Sequence, residues 1–274
     1  MSKALLTTAL FFTLIQVPLA ADKTPRPRIL TVDGSVTTLD SVPLAFTCLT
    51  KGGADSLSSP LVLLMPMMNR DRLSWHGLDT LLALDGFKVL SIDMRGHGAS
   101  TKRNGRSYRW QEFSDADFAN MVSDVGVMLK YARAAGGQGR GQTRLDTLLR
   151  GADFTRIGLV GASIGSSAAL LYAADHPEIR ALVLLSPGLN YRGLQTGPAM
   201  RRYGARPVYL MAGSEDVSSA KTVDVLYAVV KGEPNPLRVS VVHPTDKHGT
   251  DLFDSDPGIR RELVGWLDSV LGAK

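Results

Sequence analysis

The fold of this chain is decided by one stretch, Arg156-Ile157-Gly158-Leu159-Val160-Gly161-Ala162-Ser163-Ile164-Gly165. Its apolar run of branched side chains predicts a short buried strand. The small residues that follow, Ser166-Ser167-Ala168-Ala169, predict a helix. A serine on a sharp turn from strand to helix is held in a strained backbone conformation that keeps its hydroxyl exposed, and small neighbours such as Gly161 and Gly165 leave room for that turn. Ser163 is therefore a candidate nucleophile.

The composition is that of an ordinary globular protein. The 274 residues are 44% hydrophobic and 21% charged, and a chain of this length forms one large domain or two small ones. Because no linker-like segment divides it, we expect residues 22–274 to form a single domain. The net charge of +5 can favour nucleic acid or anionic lipid, but no nucleic-acid-binding motif accompanies it, so no nucleic-acid partner is expected. The single cysteine, Cys48, cannot form an intrachain disulfide, and we expect it to be buried in a strand.

The N-terminus has the pattern of a secretory signal peptide. Lys3 precedes a mostly apolar run from Ala4 to Leu19, and the small residues Ala20-Ala21 follow it. We therefore expect residues 1–21 to be removed near Ala20-Ala21 and the mature protein to be periplasmic or secreted. The run is short for a membrane span, so an uncleaved anchor is the minor alternative and no stable membrane insertion is expected after removal.

Turn residues divide the rest of the chain into short apolar runs and amphipathic segments. Turns at Asp33-Gly34 and Asp40-Ser41 are predicted to follow the first strand. The expected strands besides the one that ends at Gly161 are residues 28–32, 43–49, 61–65, 87–93, 180–185, 207–211 and 237–242, and the expected helices are 71–85, 114–135, 145–150, 222–230 and a final helix after the N-cap Asp256. Alternation of strand and helix predicts a mostly parallel sheet with helices on both faces, and the first strands, which lack helices between them, predict an antiparallel N-terminal edge.

Three predicted strands end at residues that can carry out nucleophilic catalysis. Serine needs a base to take its proton and an acid to orient that base, and sites in such sheets form at the carboxyl ends of the strands. His248, backed by Gly249 in the loop after the last strand, is the preferred base over His243. Asp216 is preferred over its neighbour Glu215 because its shorter side chain suits a histidine held from a strand-end loop.

The remaining histidines and nearby carboxylates have simpler interpretations. His97 is expected to pack within a loop, His176 to end a helix at the opposite end of the sheet, and His76 to lie on a helix surface. Asp93 is expected to accept backbone hydrogen bonds in its own loop. Asp251 and Asp254 are expected to be helix caps or exposed charges. No cluster with metal-ligand spacing and no dinucleotide or phosphate-loop motif is present, so neither a metal nor a cofactor is expected.

Taken together, the motifs resemble those of the α/β-hydrolase superfamily, over the chain from about residue 30 to its end. The matching stretches are Gly161-Ala162-Ser163-Ile164-Gly165, Ile92-Asp93-Met94-Arg95-Gly96-His97-Gly98-Ala99-Ser100, Ala212-Gly213-Ser214-Glu215-Asp216 and Lys247-His248-Gly249. The resemblance implies an eight-stranded, mainly parallel sheet and a Ser163–His248–Asp216 triad. It also implies that Arg95 and His97 belong to a structural turn.

One segment departs from the superfamily pattern. A His-Gly pair that commonly feeds the oxyanion hole is replaced by Met65-Pro66-Met67-Met68-Asn69, and Pro66 has no N–H to donate. The oxyanion hole is therefore expected to use the backbone N–H groups of Met67, or less favourably Met68, and Ile164. Met68 and Asn69 are expected to contact substrate, with core filling as the alternative for the methionines.

These features predict a serine hydrolase that cleaves a carboxylic ester of a small acyl substrate through an acyl-enzyme. A peptidase, thioesterase or acyltransferase would use the same residues, and a hydrolase-like binding protein without catalysis is the alternative from another class. The short segment from Gly188 to Arg206 leaves no room for a large lid, so we expect an open, short-capped site.

Overall fold

A computed structural model describes residues 28–53, 58–137, 143–232, 235 and 237–272; the predicted signal peptide lies outside them. The strands are β1 Ile29–Thr37, β2 Pro43–Lys51, β3 Ser59–Met65, β4 Lys88–Ile92, β5 Lys102–Arg103, β6 Arg106–Ser107, β7 Ala152–Ala162, β8 Ile179–Leu185, β9 Asn190–Tyr191, β10 Leu194–Gln195, β11 Val208–Gly213 and β12 Arg238–His243. The helices are α1 Leu78–Asp85, α2 Asp115–Gly137, α3 Arg144–Leu149, α4 Ile164–Asp175, α5 Thr196–Tyr203, α6 Val217–Val230, α7 Leu252–Ser255 and α8 Gly258–Leu271.

Eight strands form one twisted sheet in the order β1-β2-β4-β3-β7-β8-β11-β12. β1 and β2 pair antiparallel, as do β2 and β4, whereas the pairs from β4 to β12 are parallel. The predicted mostly parallel eight-stranded sheet with an antiparallel N-terminal edge is confirmed. Because β7 lies in the middle of the sheet, Ser163 sits at the centre of its carboxyl edge.

The sheet is buried because two helical layers cover it. Helices α2 to α6 pack on one face of the sheet, and α1, α7 and α8 pack on the other. Each face has its own cluster of buried apolar side chains. Strands β3 and β4 are buried at every position, as expected of strands covered on both sides. Cys48 lies within this core on β2, and burial raises the pKa of its thiol to about 12.

The first strand is longer than predicted. The expected turn at Asp33-Gly34 is wrong, since β1 continues through both residues to Thr37 and pairs with β2 along its whole length. Gly34 stands opposite Phe46, whose ring a Cβ at position 34 would meet at 2.6 Å. The glycine therefore makes room for an aromatic ring, and the turn comes only around Ser41 (φ 63°).

The helix predicted over residues 71–85 begins only at Leu78. The preceding segment instead hydrogen-bonds to the end of β4: the Arg72 N–H donates to Asp93 Oδ1 (2.7 Å), and the Ser91 hydroxyl donates to the Arg72 carbonyl (2.6 Å). Leu73, which would belong to the apolar side of a helix over residues 71–85, is consequently 70% exposed. Tertiary contacts thus override the helical pattern here.

Two helix starts also differ from expectation. Helix α6 begins at Val217 rather than Thr222, because the Asp216 carboxylate accepts from the Ser219 N–H and caps its first turn. At α8, Asp256 Oδ1 accepts from the Gly258 N–H at 2.6 Å, but Pro257 is the residue that precedes the helix.

The segment after β8 forms a small cap. It contains the two-residue strands β9 and β10, which pair as a hairpin, followed by α5. The short-capped architecture is thus present. Among the described residues, no helix has both the length and the apolar character needed to cross a membrane.

Candidate active site

Ser163 occupies the sharp turn between β7 and α4. Its backbone has φ 52° and ψ −116°, which is a strained conformation for a residue with a side chain. The Ser163 N–H donates to the Leu185 carbonyl at 2.8 Å, and its own carbonyl accepts the N–H groups of Ser166 and Ser167. The turn is therefore fixed by the neighbouring strand on one side and by the first turn of α4 on the other.

Two glycines allow this turn to pack closely. A Cβ at Gly161 would overlap the Gly165 carbonyl, and a Cβ at Gly165 would overlap the carbonyls of Met65 and Pro66. Since all these neighbours are backbone atoms, they cannot move aside cheaply. The glycines thus bring the end of β3 against the start of α4, which sets the Met65–Met67 loop beside Ser163.

Asp216 and His248 form a direct hydrogen bond. His248 Nδ1 lies 2.6 Å from Asp216 Oδ2, and a carboxylate can only accept, so Nδ1 carries the proton in this contact. Burial raises the pKa of Asp216, but hydrogen bonds from Ser219 and His248 outweigh it, and the pKa lies below its ordinary value. The carboxylate is therefore ionised at neutral pH and fixes the orientation of the imidazole ring through Nδ1.

The loop carrying His248 reaches Asp216 because β11 ends in glycine. A Cβ at Gly213 would collide with the carbonyls of Thr245 and Lys247, so the loop backbone passes directly over this position. Beyond His248, the Gly249 N–H donates to Ser186 Oγ at 2.9 Å. Ser186, the first residue after the predicted strand 180–185, thus helps to hold the loop that carries His248.

One cavity of about 770 Å³ joins the candidate catalytic residues. It lies between the start of α4, the segment after β8 and helix α6. Its lining residues are Ser163, Ile164, Ser167, Ser186, Gly188, Leu189, Asn190, Tyr191, Asp216, Ser218, Ser219, Lys221, Thr222, Val225 and His248. The sequence predicts the segment from Gly188 to Arg206 as a short cap but does not associate α6 with the site, because only the fold brings the two together.

The residues expected at the oxyanion hole lie close to this cavity. Ile164 lines it and is the first residue of α4, where an N–H has no acceptor within the helix. Met67 is buried, and its side chain packs against Gly249 beside His248. The loop therefore runs past both Ser163 and His248 at the edge of the site.

The residues expected to contact substrate lie elsewhere. Asn69 lines a separate cavity together with Trp110 and His97. Met68 Sδ is 3.1 Å from His97 Nε2, and the side chain packs against the larger core. Neither residue is among those that line the cavity of Ser163, so substrate contact by Met68 and Asn69 stays a prediction without geometric support.

The segment from Asp93 to Ser100 forms a turn that is buried except at Gly98 and Ala99. Arg95 forms ion pairs with Asp124 (2.6 Å) and Asp40 (2.9 Å). His97 stacks on Trp110, donates its Nδ1–H to the Arg95 carbonyl (2.9 Å), and has its pKa lowered by burial. These contacts support the turn rather than the cavity, in agreement with the structural role expected for both residues.

Asp93 bonds more than its own loop. It accepts from the Ala99 N–H at 2.7 Å, as expected, and also pairs with the Arg72 guanidinium at 2.6 Å. This pairing with Arg72 was not predicted, because the two residues lie 21 positions apart in the chain.

The other histidines lie away from the cavity. His243 ends β12, and its Nε2 is buried without a hydrogen-bond partner in the described structure. His176 ends α4, as expected. His76, however, precedes α1 instead of lying on its surface.

His76 also meets two carboxylates that the sequence did not associate with it. Ligand atoms of His76, Asp251 and Asp254 lie within 4.8 Å of one another. Arg70 already donates two hydrogen bonds to Asp251 (2.8 and 3.1 Å), so this carboxylate is neutralised by a protein cation.

Comparison with known proteins places the chain in a family. Residues 61–213 match the family model described as serine aminopeptidase, S33, whereas no curated protein matches. An esterase from Pyrococcus furiosus has a similar fold, with a TM-score of 0.65, 17% identity, and coverage of 89% of this chain and 94% of that one. A dienelactone hydrolase from Anabaena variabilis has a TM-score of 0.63 and 17% identity over 90% of this chain and 100% of its own. The chain therefore belongs to the serine aminopeptidase S33 family of α/β-hydrolases.

Proposed function

We propose that this hydrolase cleaves carboxylic esters with Ser163 as nucleophile, His248 as base and Asp216 as the group that orients the histidine. The observation that carries the proposal is the 2.6 Å bond between His248 and Asp216 in the same cavity as a serine on a strained turn. A nucleophile, a base and an orienting carboxylate are the three parts that acyl transfer by serine requires.

The reaction proceeds in two steps. His248 Nε2 takes the proton of Ser163 Oγ as that oxygen attacks the ester carbonyl, and the resulting oxyanion accepts hydrogen bonds from the Ile164 and Met67 N–H groups. The histidine then gives the proton to the departing alkoxide, which leaves as an alcohol. A water molecule, deprotonated by the same histidine, attacks the acyl-enzyme, and the proton returns to Ser163 as the acid is released.

The charges in the cavity favour an ester over a peptide with a free amino terminus. An ammonium group bound in a pocket needs an anionic partner. Among the residues that line this cavity, the one carboxylate is Asp216, and it is already occupied by His248 and Ser219. An aminopeptidase activity therefore has less support in this cavity than cleavage of an ester.

The short cap and the N-terminal sequence support two further parts of the proposal, the size of the substrate and the location of the protein. The short cap leaves the site open to small acyl substrates, and the pattern of residues 1–21 supports export to the periplasm or beyond.

Hydrolysis of p-nitrophenyl esters tests the proposal. We expect Ser163→Ala and His248→Gln to lower kcat by about 10⁴-fold or more, and Asp216→Asn by about 10⁴-fold, because triad members act as a unit. His243→Gln, which removes the alternative base at the end of β12, is the matched control and should retain wild-type activity. Loss of activity in His243→Gln but not in His248→Gln would reassign the base. No hydrolysis by folded wild-type protein would favour the binding-protein alternative.

A further inference from the structure

We infer that Lys221 selects esters that carry a carboxylate, separated from the scissile carbonyl by a short hydrocarbon spacer. The inference rests on the proposed function and names its substrate class. It follows from the charges, the hydroxyl groups and the apolar surface of the cavity that contains Ser163.

The lining of this cavity contains one cation, Lys221, and one anion, Asp216. Lys221 lies on α6. It is the one lysine among the residues that line the cavity, and these residues include no arginine. No ion pair of Lys221 exists among the described residues, while the carboxylate of Asp216 is bonded to His248. A substrate carboxylate would therefore meet a cation without a protein partner, whereas the one anion of the lining already accepts a hydrogen bond from His248.

The hydroxyl groups of the wall add an unsatisfied donor. Ser167 lies one helical turn after Ser163 and is 1% exposed, and its Oγ has no hydrogen-bond partner in the described structure. Ser186 Oγ accepts from the Gly249 N–H, and the Thr222 hydroxyl donates to the Ser218 carbonyl. Because no bond holds the Ser167 hydroxyl, it can rotate toward the cavity without losing one, and a buried donor of this kind favours a substrate with an acceptor over a plain hydrocarbon.

Three aliphatic side chains of the lining account for the spacer. Ile164, Leu189 and Val225 contribute hydrocarbon side chains to the same cavity. A short methylene chain can therefore pack against them while its charged end lies near Lys221.

A pair of esters with equal chain length tests the inference. One is the p-nitrophenyl half-ester of adipate, which ends in a carboxylate, and the other is p-nitrophenyl hexanoate, which ends in a methyl group. The wild-type ratio of kcat/KM for the adipate ester over the hexanoate ester should fall about fivefold in Lys221→Met, the size expected for an ion pair at a partly exposed position. Lys221→Glu should lower it further, since repulsion replaces attraction. Added salt should reduce the wild-type preference by screening it.

Lys231→Met is the matched control, because Lys231 lies at the end of the same helix but does not line the cavity; the ratio should stay at the wild-type value. If Lys221→Met hydrolyses both esters with the wild-type ratio, the inference is wrong while the proposed function stands. If folded wild-type protein hydrolyses neither ester, the proposed function fails and the inference fails with it.

Discussion

Arg95 shows how a single residue stabilises the turn that follows β4. Its side chain is 2% exposed and pairs with Asp124, which is equally buried, and with Asp40. Removing one member of a buried pair leaves the other charge without a partner and typically costs about 3–5 kcal/mol. Arg95→Met should therefore lower the free energy of unfolding by about 4 kcal/mol, measured by urea denaturation.

The exposed pair between Arg202 and Asp175 (2.8 Å) provides the comparison. Ion pairs on the surface contribute about 0–1 kcal/mol, so Arg202→Met should change the free energy of unfolding by no more than that. Equal losses in the two variants would show that Arg95 does not depend on its buried carboxylates.

At the scale of elements, the contact of α4 with the end of β3 depends on Gly165. A methyl group there would overlap the carbonyls of Met65 and Pro66, and forcing extra atoms into packed structure costs about 1–3 kcal/mol. We expect Gly165→Ala to lower the free energy of unfolding by about 3 kcal/mol, at the upper end because the obstacle is backbone.

Helix α5 contains the matched position. Gly197 is the second residue of α5, as Gly165 is of α4, and a Cβ there would meet no atom within 4 Å. Gly197→Ala should raise stability by about 0.5–1 kcal/mol, because alanine is the better helix former. Urea denaturation measures both variants, and a destabilised Gly197→Ala beside a neutral Gly165→Ala would contradict this explanation of the turn.

At the scale of the whole molecule, local patterns predicted the sheet but not the cavity. Buried strands such as β3 and the Gly-x-Ser-x-Gly turn are visible in sequence because apolar runs and glycines act over a few residues. The direct bond of His248 to Asp216 could be anticipated from strand ends, since the carboxyl ends of parallel strands share one edge.

Contacts between distant segments could not be predicted in this way. Arg72 pairs with Asp93, and the helix expected from residue 71 starts only at Leu78. His76 likewise meets Asp251, which lies 175 residues later in the chain. The cavity lies between the start of α4, the hairpin after β8 and α6. The positions of Lys221 and Ser167 in its lining are therefore apparent only in the folded chain. Met68 and Asn69 are not among the residues that line this cavity, and their contact with substrate stays a prediction.

An activated serine is the central claim, and covalent labelling measures it without a choice of substrate. Intact mass would be recorded after incubation with a fluorophosphonate probe for wild type, Ser163→Ala, and Ser218→Ala, which removes another hydroxyl of the same cavity. We predict one adduct on wild type and on Ser218→Ala and none on Ser163→Ala. An adduct that persists in folded Ser163→Ala, or the absence of any adduct on folded wild type, would contradict the assignment of Ser163 as the nucleophile.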